Sequence, residues 1–148
     1  MFFGTYYHQV DDRGRIRIPP AFKEELGSKF YFVLGITGVL NIFPAASIDI
    51  VHKQLMESTG VFDLLDQESM LSYNRNIACA IEDKQGRVVI PQSLLKELNF
   101  GKEICSVGMG QYISITSADY KPTKIKSHEE ALAHLNKKLA EKKKKDEI

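Results

Sequence analysis

The feature that most constrains this chain is that it matches itself. Asp11-Asp12-Arg13-Gly14-Arg15-Ile16-Arg17-Ile18-Pro19 returns 72 residues later as Asp83-Lys84-Gln85-Gly86-Arg87-Val88-Val89-Ile90-Pro91. Both follow the pattern D-x-x-G-R-h-x-I-P, with h aliphatic, and five of the nine positions are identical, too many for coincidence. The correspondence runs on through Phe22/Leu94, Glu25/Glu97 and Leu26/Leu98. After a one-residue shift it continues through Gly35/Gly108, Leu40/Ile113 and Ile42/Ile115. A period of this kind implies a duplicated structural unit.

Each unit reads as ββαββ. The alternation Tyr6-x-His8-x-Val10 predicts a strand, and Asp-x-x-Gly predicts a turn, since Asp can accept from the following amides and Gly tolerates positive φ. Ile16-x-Ile18 and Val88-x-Ile90 alternate as a second strand. The prolines end that strand and preset a short helix, Pro20 to Leu26 and Gln92 to Leu98, with Gly27 and Gly101 near the stops. Two further strands are predicted in each unit, Phe30 to Leu34 and Val39 to Phe43, then Ile104 to Val107 and Tyr112 to Thr116. Such a unit buries too little apolar surface to stand alone, so two copies are expected to pair through their strands and share one core.

The remainder is helical in pattern. Ile48, Val51 and Leu55 predict a helix over Ala45 to Glu57, and a second is expected around Leu64 to Arg75. Ser127-x-x-Glu130 is a capping-box pattern ahead of Leu132, Leu135 and Leu139, and residues 141–147 are expected to fray. The divisions are thus 1–44, first unit; 45–77, helical connector; 78–120, second unit; 121–148, C-terminal helix and Lys-rich tail.

Composition bears mainly on what to exclude. Net charge is only +1, but residues 121–148 carry nine Lys and five acidic side chains, whereas residues 1–120 carry eleven basic and fourteen acidic ones. The folded part is therefore no generic polycation, and any nucleic-acid contact there must come from a local cluster. Cys79 and Cys105 fit no metal or redox spacing and read as reduced thiols. His8, His52, His128 and His134 are scattered singly, so no metal site is expected. No signal-peptide pattern or membrane-length apolar run occurs, which leads to the expectation of a cytoplasmic protein. No nucleophile elbow or Gly-rich phosphate loop appears, so neither an enzyme, a cofactor nor a small-molecule substrate is expected.

At Phe3-Gly4-x-Tyr6-x-His8-x-x-Asp11-x-x-Gly14-Arg15-x-x-Ile18-Pro19, and again at Asp83 to Pro91, the chain resembles the MraZ family, a branch of the AbrB-like swapped-hairpin superfamily. The resemblance covers about residues 1–120. The segment Leu71 to Ile81 is shorter than the family pattern, and the Lys-rich tail is no part of it. The implied fold is mainly β with short helices: two AbrB-like units in one pseudo-symmetric, barrel-like domain, with linker helices and a C-terminal helix. The implied function is a DNA-binding regulator of its own operon in the bacterial division and cell-wall cluster. Such a regulator would be nucleoid-associated and assembled in a ring on short G-rich direct repeats. The D-x-x-G-R turn is the implied contact element.

Chemistry suits that role, because the Arg fork can donate two parallel bonds to guanine O6 and N7. The expected assignment is base contact by Arg15, phosphate contact by Arg13, support from Arg17, and Lys84 and Arg87 acting in the second unit. Asp11, Gly14, Asp83 and Gly86 would form the turns, the carboxylates orienting the guanidinium groups. Tyr6, Tyr7 and Phe30-Tyr31-Phe32 read as sheet and core residues rather than base-stacking platforms. The alternative is an antitoxin-like interaction module that oligomerises and grips a partner through the segment after Ser127, without specific DNA contact.

Overall fold

The computed structural model describes residues 1–147. In the first repeat, β1 (Thr5–Gln9) leads through the Asp11 turn to β2 (Arg15–Arg17), then α1 (Pro20–Leu26), β3 (Phe30–Leu34) and β4 (Leu40–Pro44). The connector holds α2 (Ala45–Ser58) and α3 (Leu64–Arg75). The second repeat returns β5 (Ile77–Ala80), β6 (Arg87–Val89), α4 (Gln92–Leu98), β7 (Glu103–Gly108) and β8 (Ile113–Ser117), before α5 (His128–Asp146).

The repeats exchange strands. β1 pairs with β7 of the second repeat, and β5 with β3 of the first. The resulting antiparallel sheet has the order β1-β7-β8-β4-β3-β5, which reads the same when the repeats are interchanged. A pseudo-two-fold therefore passes between β4 and β8. It passes again between β2 and β6, which form a separate two-stranded ribbon. The main sheet keeps open edges at β1 and β5 rather than closing into a barrel. Across the first turn Asp11 N donates to Arg15 O at 3.0 Å, and beyond it β1 and β2 part into separate sheets.

Burial explains the exchange. One core cluster takes Ile16, Ile18, Phe22, Leu26, Phe30, Phe32, Leu40 and Ile42 from the first repeat and Val88, Ile90, Leu94, Leu98, Ile104, Ile113 and Ile115 from the second. Successive strand residues point to opposite faces, so Val33 and Phe43 meet α2 through Ile48 in a smaller cluster on the other side of the sheet. Tyr6 packs edge-on against Phe22 at 5.1 Å between ring centroids, whereas Tyr7, also in β1, faces outward.

The second short helix runs to Leu98 as expected, and its C-cap is Asn99, in the left-handed region at φ 54°. Asn tolerates that conformation better than other non-Gly residues. The C-terminal segment does not fray from residue 141 but stays helical to Asp146. Ser127 Oγ accepts from Glu130 N at 3.1 Å, and Glu129 and Glu130 at the first turn with Lys143, Lys144 and Lys145 at the last complement the helix dipole.

Candidate nucleic-acid interface

The two D-x-x-G-R turns have nearly the same backbone. Gly14 lies at φ 76° and Gly86 at φ 77°, a region where a side chain is strained. Gly14 N donates to Asp11 O at 3.0 Å and Gly86 N to Asp83 O at 3.1 Å. A Cβ at Gly14 would also lie 2.7 Å from Leu95 Cδ1 and 3.2 Å from the carbonyl oxygen of Ile90.

Each Asp makes the same three contacts. Asp11 Oδ1 accepts from the amides of Arg13 at 2.9 Å and Arg15 at 2.8 Å, while Oδ2 accepts from Arg15 Nε at 2.6 Å. Asp83 Oδ1 accepts from the amides of Gln85 at 2.8 Å and Arg87 at 2.9 Å, and Oδ2 from Arg87 Nε at 2.8 Å. The amide of Arg15 is the main cause holding the Asp11 carboxyl below its ordinary pKa, and the amide of Arg87 does the same for Asp83. An exposed ion pair of this kind adds little to stability, so its consequence is orientation. Nε is held, and the Nη groups at the end of each fork have no other protein partner among the described residues.

The ribbon brings the turns together. β2 and β6 run antiparallel with Arg15 opposite Val89, Ile16 opposite Val88 and Arg17 opposite Arg87. Ile16 and Val88 point into the core at 1% and 0% exposure. The opposite face of the ribbon consequently carries Arg15, Arg17 and Arg87 with the exposed Val89. Arg13 and Lys84 are exposed on the turns at either end. A shallow groove beside the ribbon is lined by His8, Asp11, Arg15, Arg17 and Arg87.

Arg17 has a further contact: its Nη1 donates to the carbonyl oxygen of Gln85, tying the second turn to the first repeat. Two residues at this surface were missed by sequence reasoning. Lys23, in the interior of α1, reaches the second turn and lies 3.5 Å from Glu82. His8 enters the groove from β1, its Nε2 sharing a 2.6 Å hydrogen bond with Ser106 Oγ and its shielded Nδ1 without a partner among the described residues. Burial lowers the pKa of His8. Lys23 belongs to no distinctive local motif, and His8, although part of the opening pattern, carries no local sign of this position; strand exchange and helix packing place them here. No group of three or more His, Cys, Asp or Glu side chains is placed to hold a metal ion among the described residues. No helix among them is long and apolar enough to cross a membrane.

Comparison with known proteins matches the family model described as "MraZ protein, putative antitoxin-like" to residues 1–60 and 78–142. The chain belongs to the MraZ family. It is similar to the Clostridium tetani protein named Transcriptional regulator MraZ, 36% identical over 122 residues, covering 80% of this chain and 83% of that protein. The protein of the same name from Syntrophomonas wolfei is 30% identical over 140 residues, covering 91% and 96%. That from Dictyoglomus thermophilum is 31% identical over 136 residues, covering 92% of each. The MraZ match extends past residue 120 into α5, farther than the resemblance of the two turns reached, and leaves out residues 61–77.

Proposed function

We propose that this chain is a sequence-specific DNA-binding transcriptional regulator, as the names of its MraZ relatives suggest. The observation that carries the reading is the ribbon face on which Arg15, Arg17 and Arg87 stand together, backed by buried Ile16 and Val88. A two-stranded ribbon is narrow enough for the major groove. Arg15, held at Nε by Asp11, presents the Nη end of its fork to guanine O6 and N7, and Arg87, held in the same way by Asp83, contacts the DNA from the second turn. Arg13 and Lys84, at the exposed turns, contact phosphate, and Arg17 braces the second turn.

A single face of this size binds weakly, and repetition supplies the rest. Val61, Phe62, Leu64 and Leu65 around the start of α3, and Leu71 farther along it, expose large apolar side chains. Exposed apolar clusters of this kind mark association surfaces. In this reading they join copies head to tail into a ring, an arrangement that suits short G-rich direct repeats rather than a palindrome. The protein then acts in the cytoplasm, at the nucleoid, on its own operon in the division and cell-wall cluster. In this reading there is no catalysis, no cofactor and no small-molecule substrate.

The test is a gel shift on the DNA upstream of its own gene. Arg15→Ala and Arg87→Ala should each weaken specific binding by roughly 1–3 kcal/mol, with fold and assembly intact. Binding unchanged in both variants would refute the assignment.

A second reading, an antitoxin-like interaction module, is supported by α5. Leu132, Leu135 and Leu139 are all exposed along that helix, and the family description itself includes the antitoxin likeness. Capture of a stoichiometric protein partner through α5, insensitive to nuclease, together with unaltered promoter binding in the Arg variants, would favour it.

A further inference from the structure

The two turns repeat each other in backbone and differ in what surrounds them. Where the first repeat has Lys23 in α1, the second has Leu95 in α4; where β2 has Arg17, β6 has Val89. At the first turn, the space over Gly14 is filled by Leu95. Over Gly86, a Cβ would instead meet Lys23 Nζ at 3.0 Å and Arg17 Nη1 at 3.8 Å. Two cations from the first repeat therefore converge on the turn of the second. The ribbon ends differ as well. Ile90 N donates to Gly14 O at 2.8 Å at one end, whereas the Gly86 end is held by Arg17 through the carbonyl of Gln85.

At the first turn Arg13 and Arg15 stand with Asp11 and Asp12, and Lys96 and Lys102 line a pocket beside them, but the atoms over Gly14 belong to Leu95 and Ile90 rather than to a cation. At the second, Lys84 and Arg87 are joined by Arg17 and Lys23 against Glu82 and Asp83, leaving an excess of two positive charges. Arg17 stands directly opposite Arg87 in the ribbon, and like charges so placed repel. Lys23 is only loosely engaged, 3.5 Å from Glu82 with both side chains partly exposed. An anion arriving at Gly86 would relieve the repulsion and could take over the Lys23 ammonium from Glu82.

We infer that the second turn is a phosphate anchor on double-stranded DNA and that Lys23 is one of its ligands, a positioning contact outside the D-x-x-G-R motif. The inference rests on the DNA-binding reading above and adds a division of labour. Base contact falls to Arg15 at the first turn, while the second turn, with Lys23 and Arg17 drawn over Gly86 from the other repeat, grips the backbone wherever it lands. Contacts to phosphate fix register without carrying sequence information.

The experiment uses the full chain and two duplexes, the DNA upstream of its own gene and a scrambled sequence of equal length, each titrated at several salt concentrations. Lys23→Gln should weaken binding to both duplexes by the same factor. It should also make the slope of log K against log salt shallower by about 0.9, the loss of one phosphate contact; Lys23→Arg should restore both. Lys23 is part-exposed, and an unchanged thermal melt confirms that the Gln variant is folded. An unchanged salt slope in Lys23→Gln, or a loss confined to the upstream duplex, overturns the anchor while leaving the DNA reading standing. If the wild-type chain binds neither duplex, both fall.

Discussion

Ile16 and Val88 face each other at the centre of the ribbon, each from a different repeat and each sealed beneath the arginine face. Val88→Ala removes two methyl groups from a site with 0% exposure. At about 0.8 kcal/mol each for the lost transfer energy, plus a term for the cavity, the cost is roughly 2–3 kcal/mol. Ile16→Val should cost about 0.5–1.5 kcal/mol. For a chain of this size the larger loss lowers the melting temperature by roughly 5–10 °C. Because the two side chains line one space, the double variant should differ from the sum of the singles by more than about 0.5 kcal/mol. Urea titration followed by far-UV circular dichroism and by tyrosine fluorescence should give coincident single transitions, since neither repeat has a core of its own. Two separated transitions, with Val88→Ala moving only one, would refute the shared core. Additive losses would refute the contact across the ribbon.

Two other predictions concern stability at His8 and Gly108. Burial lowers the pKa of His8, so the unfolded chain binds its proton more readily than the folded one. The stability held by neutral His8 is therefore fully present above the ordinary value of 6.5 and is lost as pH falls below it toward the folded-state value. Melts between pH 7.5 and 5.5 should show a decline that is smaller in His8→Gln; identical profiles would exclude His8 as a source. Gly108→Ala should destabilise strongly, because a Cβ there would lie 2.5 Å from the Phe2 carbonyl carbon and 2.6 Å from its oxygen, and backbone cannot swing aside. A melting temperature within 1–2 °C of wild type, less than about 1 kcal/mol at this size, would show that the N-terminal segment is not seated in solution as it is here.

The elements were legible because their signals are local. The short helices start just after Pro19 and Pro91, where a fixed φ suits a first turn, and both run as expected to Leu26 and Leu98. Strand alternation located Phe30–Leu34 directly, and the other outer strands to within a residue at most ends. The reading failed at the C-terminal end, where α5 continues through residues expected to fray, with Lys143, Lys144 and Lys145 complementing the dipole at its last turn.

From the sequence alone came the duplication, the ββαββ order and the positions of the two turns, because turn chemistry, proline and hydrophobic period act over a few residues. Only the tertiary structure decided that the repeats trade strands, since pairing partners far apart in the chain are selected by the burial of a joint core. That exchange sets Arg17 opposite Arg87, and helix packing sets Lys23 over Gly86. A charge cluster of this kind has no signature in either repeat, because Coulomb interactions depend on separation in space and the residues concerned lie more than 60 positions apart in the chain.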